Sequence, residues 1–188
     1  GELMDESNEP IEKATVTLKT NSIHWPDYTT TSNGKFSFHS VPLKGEVSIV
    51  PNRNDDPMNG ISTLDLLLIE KHIKGDRLLS SPYKIIAADV NKNNSIDVID
   101  ILELRKLILG IYDKFPESDS WRFIPMNHTF SNVSQPWPYP SEYKVTSEKV
   151  LNVPFMGIKV GDVNNSSTPH SLLGTEIRES ADGLILNI

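Results

Sequence analysis

The residues best placed to do chemistry are oxygen donors in Asp89-Val90-Asn91-Lys92-Asn93-Asn94-Ser95-Ile96-Asp97-Val98-Ile99-Asp100. Side-chain oxygens fall at positions 1, 3, 5, 9 and 12 of this twelve-residue window: Asp89, Asn91, Asn93, Asp97 and Asp100. Ser95, at position 7, can offer its backbone carbonyl. Such a set suits a hard cation. Calcium takes several oxygens at irregular angles, and alternate residues of a tightly wound loop can all turn toward one centre. Asn94 stands where the sharp turn of such a loop usually needs Gly, and Asn is among the few residues that tolerate the left-handed region. Asp100 stands where a longer Glu is common, so its helix has to come closer.

These loops need elements to hold them. Asn59 through Gly75 aligns without gaps on Asn94 through Gly110, an offset of 35 residues. Asn59 falls on Asn94, Ile61 on Ile96, Asp65 on Asp100, Lys71 on Lys106 and Gly75 on Gly110. One fixed offset marks a duplicated unit. Each copy reads as loop, apolar residue, acidic last ligand, amphipathic helix and a Gly stop. Leu66, Ile69 and Ile73 share one helix face, and Ile101, Leu104 and Ile108 share the other. Neither short helix can bury its face alone, so the two are expected to pack together.

Counting back from Asp65 as position 12 puts Asn54 at 1, Asp56 at 3, Met58 at 5, Gly60 at 7 and Ser62 at 9. Met58 lacks a side-chain oxygen, so its carbonyl or the Asn59 amide must substitute. A third stretch, Asp162-Val163-Asn164-Asn165-Ser166, opens like a calcium loop but has no acid at position 12. It reads first as a turn capped by Asp162, and otherwise as a site completed by another segment.

Two calcium loop–helix units without regular entering helices resemble a dockerin, over about residues 52 to 112. The Ile-Val-Pro strand before the first loop and Met156-Gly157-Ile158-Lys159-Val160-Gly161-Asp162-Val163-Asn164 after the second resemble dockerin-like regions of large secreted bacterial surface proteins. The resemblance implies two calcium ions. It also implies docking onto a cohesin-like β-sandwich or a neighbouring module, and an extracellular or cell-surface location. In dockerins, loop positions 10 and 11 and a pair further along the helix contact the partner. Carried over, these are Thr63, Leu64, Glu70 and Lys71, then Val98, Ile99, Arg105 and Lys106. The alternative for Val98 and Ile99 is burial against residues 113 to 170.

Residues 1–50 carry alternating β patterns at Ala14–Leu18, Lys35–His39 and Glu46–Val50, with turns at Asn33-Gly34 and around Pro42–Gly45. Glu9-Pro10-Ile11 and Gly34-Lys35-Phe36 resemble pieces of the small β-sandwich of carboxypeptidase regulatory-type modules. The expected fold is therefore α+β: a small antiparallel β-sandwich at 1–50 packed on a dockerin-like domain at 51–112. An irregular aromatic- and Pro-rich extension at 113–170 follows, and a further strand starts in 171–188 around Gly183–Leu186. Pro82 and the Ser80-Ser81 pair suggest a turn and a short buried segment before Asp89.

A net charge of −7 argues against nucleic acid. No cysteine is present, so neither disulfides nor thiolate metal sites contribute. No apolar run is long enough to span a bilayer and none reads as a signal peptide; the chain reads as a piece of something longer. The five histidines are scattered, and no hydrolase, phosphate-loop or dinucleotide motif is visible. His72, equivalent to Leu107, favours a packed role over a ligand. The chain is read as non-enzymatic. The alternatives to docking are a calcium-stiffened spacer in a large adhesin and carbohydrate binding through Trp25, Trp121, Trp137 or Tyr139.

Overall fold

The computed structural model describes residues 1–20, 25–39, 41, 45–145 and 152–170. The expected strand near 183–186 and most of the Pro42–Gly45 turn lie outside the described residues. The fold is α+β. Its elements, in chain order, are β1 (Glu2–Met4), β2 (Thr15–Thr20), β3 (Tyr28–Thr29), β4 (Val47–Asn52), α1 (Thr63–Lys74), α2 (Pro82–Ala88), α3 (Val98–Ile108), β5 (Trp121–Pro125), β6 (Tyr143–Val145) and β7 (Pro154–Lys159).

Two sheets form. One is antiparallel, in the order β3-β2-β4-β6; the other runs β1-β7-β5. In the second, β1 lies parallel to β7, with Leu3 opposite Phe155, and β5 lies antiparallel to β7. The strands of 1–50 thus draw partners from the far end of the chain: β1 pairs with β7, and β4 with β6. Period-two alternation sends successive side chains of a strand to opposite faces. Trp121, Phe123 and Phe155 therefore join Leu3, Ile11, Val16, Phe36 and Ile49 in one core. Ile124 and Ile158, on the other face, join Ile69, Ile86, Leu104 and Leu107 in a second core beneath the helices. A single three-stranded sheet separates the two.

The helices follow the duplication. Ser62 and Asp97 are N-caps, and each forms a capping box with the acid three residues on, Asp65 and Asp100. Gly75 and Gly110 adopt φ of 76° and 69°, the left-handed stop expected of both. Ile69, Leu104 and Leu107 are buried, while Leu66, Ile101 and Ile108 are partly so. Ile73, in the last turn of α1, faces solvent instead.

Three local expectations need correction. The short buried segment before Asp89, with Ile85–Ala88 buried as expected, is a helix, α2, which the turn reading of Pro82 did not foresee. Pro82 takes its first turn, where a missing N–H costs nothing, and the Ser81 hydroxyl accepts from the Lys84 N–H at 3.2 Å. The Lys35–His39 pattern yields only an isolated bridge between Lys35 and Glu2, although Phe36 is buried as the pattern requires. Residues 126–142 lack helix and strand, but their flanks supply β5, β6 and β7.

Candidate metal-binding loops and docking face

The loop between α2 and α3 is held by its own side chains. Asp89 accepts from the N–H groups of Asn93 (2.9 Å) and Asn94 (3.1 Å). Asn91 accepts from Asn93 and Asn93 from Ser95, both at 2.9 Å. Asp97 caps α3 through the Ile99 N–H at 2.7 Å. Asp100 reaches back to the Asp97 N–H at 2.9 Å and the Asn91 N–H at 3.3 Å. Asn94 takes the left-handed conformation expected of it, with φ 66°, and Lys92 does the same at 61°. Asx-type hydrogen bonds of this kind wind the loop and leave each oxygen a lone pair for another partner.

Its electrostatics call for a cation. Asp89 and Asp100 are both fully buried. Burial pushes Asp100 up to about 6, against opposing hydrogen bonds, and the charges of Asp89 and Asp97 push it the same way. Burial also raises Asp89, opposed by the Arg122 guanidinium 4.0 Å away. Arg122 itself donates to the Ile86 carbonyl at 2.8 Å and the Asp89 carbonyl at 2.6 Å, closing the end of α2. Buried carboxylates are costly unless a charge answers them. Among the described residues no three His, Cys, Asp or Glu side chains are grouped to hold a metal by themselves. Amide, hydroxyl and carbonyl oxygens must complete any shell, and an all-oxygen set of carboxylates and amides fits calcium rather than a softer ion.

The first loop is arranged differently. Asp65, fully buried, accepts from the Ser62 N–H at 2.9 Å and the Ser62 hydroxyl at 3.0 Å, as Asp100 accepts from Asp97. Gly60 adopts φ 76°. The upstream residues do not follow the register expected of them. The Asn54 side-chain oxygen is taken by Ser120, from its N–H at 3.0 Å and its hydroxyl at 3.2 Å, which ties it to the start of β5. Met58 is solvent-exposed. Asp56 acts electrostatically on Lys159, whose ammonium donates to the Pro57 carbonyl at 2.8 Å. What lies against Gly60, Ser62 and Asp65 is the segment after β7: the Val163 N–H donates to Asp65 at 3.0 Å, and the Ser166 hydroxyl to the Gly60 carbonyl at 2.9 Å.

The outer faces of α1 and α3 are apolar and open. Leu64 is 50 % exposed and its repeat equivalent Ile99 46 %; Leu67 is 44 % exposed and its equivalent Leu102 42 %. Val98 is 60 % exposed, whereas Ile99 shares a pocket with Phe115, Pro116 and Glu117 of the extension. Further along, Glu70 pairs with Lys74, and Lys106 pairs with Glu103 while lying over the Tyr112 ring. His72 is half-buried; its Nδ1 accepts from the Leu79 N–H at 3.1 Å, and burial lowers its pKa. Trp121 is buried in the sheet core beneath the Arg53 guanidinium, and Trp25 and Trp137 are partly buried.

Compared with known proteins, residues 55–109 match the sequence model of the dockerin type I domain. Neither a curated protein nor a solved structure matches the chain. No helix among the described residues is long and apolar enough to cross a membrane. The duplicated loop–helix units of residues 55–109 are thus a dockerin-like module, a calcium-binding attachment module by kind, built into a larger α+β chain.

Proposed function

We propose that α1 and α3 attach this protein, without catalysis, to a cohesin-like β-sandwich at the cell surface or in the extracellular space, and that two calcium ions hold the helices in place. The observation that carries this reading is the repeat-related exposure of Leu64 with Ile99 and Leu67 with Leu102. Each helix keeps one face in the shared core through Ile69 or Leu104 and leaves an equivalent apolar face open. Paired exposed apolar positions of this kind mark interaction surfaces. A near-twofold face offers a partner two equivalent footings.

Capture by a panel of cohesin domains, with calcium and with EGTA, tests it. Calcium-dependent capture that is lost in the Leu64→Asp/Ile99→Asp double variant is the expected result. Absence of capture across the panel, with calcium bound and the fold intact, favours the spacer reading. That reading draws on the pairing of β1 with β7, which weaves the module into its neighbours. Carbohydrate binding has less support, because Trp121 is in the core and the indole N–H groups of Trp25, Trp121 and Trp137 are buried.

A further inference from the structure

We infer that the first calcium site is discontinuous: Asp162, Asn164 and Ser166, from the segment after β7, supply its first half, and Gly60, Ser62 and Asp65 supply its second. The inference deepens the calcium reading above and rests on it. It replaces Asn54, Asp56 and Met58 as the opening ligands.

The loop before α3 serves as the internal standard. Asp162-Val163-Asn164 repeats Asp89-Val90-Asn91 residue for residue. Val163 and Val90 are both buried, in the same core under the helices. Asp89 accepts from the N–H groups four and five residues on. Asp162 does the same, from Ser166 at 3.1 Å and Ser167 at 2.7 Å. The closing acids also correspond. Asp100 takes an N–H near the start of its loop, that of Asn91, and Asp65 takes that of Val163. The registers differ by one residue, since Asn91 is third in its loop and Val163 second.

The two halves are in close contact. A Cβ placed on Gly60 would lie 2.6 Å from a carboxylate oxygen of Asp162 and 2.5 Å from the Ser167 nitrogen, so only glycine fits against this loop. Asn59 and Thr168 exchange two hydrogen bonds, at 2.8 and 3.0 Å, which clamp the segment in place.

Separately from this loop geometry, two acceptors here lack partners. Asn164 Oδ1, at position 3, and Ser167 Oγ are buried with no hydrogen bond, and Ser167 is only 8 % exposed. Buried polar atoms are nearly always satisfied, so orphaned oxygens on the segment whose Asp162 carboxylate accepts the Ser167 N–H point to a cation as their partner. Lys159, a buried cation nearby, donates to the Pro57 carbonyl. Asp5, also buried, accepts the N–H groups of Ser7 and Glu9 through one carboxylate oxygen.

The shell would hold two carboxylates, one amide, two hydroxyls and one carbonyl. The α3 loop offers three carboxylates, so the composite site should be the weaker of the two.

Native mass spectrometry and calorimetry with calcium on the full chain decide the matter, with circular dichroism as the check on folding. Wild type should bind two ions. Asp162→Asn and, as the milder change at a partly buried residue, Asn164→Ala should each weaken one ion at least tenfold, whereas Asp56→Ala should leave both unchanged. If both Asp162→Asn and Asn164→Ala retain two ions at wild-type affinity, or if Asp56→Ala loses one, the composite site is wrong and the calcium reading stands. Wild type holding a single ion that disappears in Asp100→Ala overturns the composite site alone. Wild type holding none overturns both.

Discussion

The Asp65 carboxylate accepts the backbone N–H of Val163 at 3.0 Å, across 98 residues of chain. The acid that closes the first capping box is therefore held from both sides: by Ser62 within its own unit, and by the segment after β7. Burial raises the pKa of Asp65, and the nearby charge of Asp162 adds to the effect. Whatever loosens the 162–167 segment should loosen the start of α1 with it.

Calcium removal should therefore act at two distant places in the sequence. EGTA should lower the melting temperature and speed amide exchange both at 89–100 and at 162–167, because ion binding to the native state adds stability by mass action. A melt that is the same with and without chelator would rule out calcium-dependent folding.

The two closing acids should not be equivalent. Asp100→Ala removes one of three carboxylates in the α3 loop and the acceptor for the Asp97 and Asn91 N–H groups. It should cost more calcium affinity than Asp65→Ala, and about 1–3 kcal/mol of stability in calcium. Calorimetry giving the reverse order of affinities would show that the first loop is the stronger one.

Ile99→Asp should weaken partner capture, and abolish it when combined with Leu64→Asp, while leaving calcium stoichiometry and the melt within error, since Ile99 is 46 % exposed. If the same change unfolds the protein, Ile99 belongs to the core through its neighbours Phe115 and Tyr112, and the docking face is misassigned.

Much of this was legible because the relevant residues lie close together in sequence. The α3 loop shows its donors in one window, and both helices show their caps and stops at a fixed offset. The composite half did not show itself in this way. Asp162-Val163-Asn164 looked like the opening of a loop with no closing acid, and 54–58 looked like a poor opening before a good close. In the composite site we infer, each defect explains the other, but local periodicity cannot join residues a hundred positions apart. The usable signal was the exact repetition of Asp-Val-Asn combined with the missing oxygen at Met58. Pro82 misled for a different reason: proline breaks a helix interior but suits its first turn.

Lys159 gives a pH signature. It is 3 % exposed, and burial lowers its pKa to about 8, with Asp162 and Asp56 opposing. An unfolded lysine keeps its proton up to about 10.4, so between the two values the unfolded state binds more protons. Stability should therefore rise with pH from about 8 to about 10.4, by up to roughly 3 kcal/mol. Lys159→Met should flatten that rise in urea melts. A wild-type stability that falls over the interval would show the ammonium to be well compensated where it sits.

The three-stranded sheet can be tested by crowding it. A Cβ on Gly157 would lie 2.1 Å from Ile11 Cδ1 and 3.1 Å from the Phe123 ring. Gly157→Ala should destabilise the fold by about 1–3 kcal/mol, and Ile11→Val should restore part of it. No loss of stability would mean that the sheet and the Ile11 segment are not packed as closely as described.

The parallel pairing of β1 with β7 also bears on the order of events during synthesis. A ribosome delivers Glu2–Met4 about 150 residues before Pro154–Met156, the strand segment it must pair with. Until then the β7-facing edge of β1 is open and Gly60–Asp65 lacks its companion loop, while α2, the 89–100 loop and α3 already have their local contacts. Folding should begin in that middle block and join β1 to the rest only when β7 emerges. Contacts that close such long intervals form slowly, and they leave the early strands exposed for the whole of the wait.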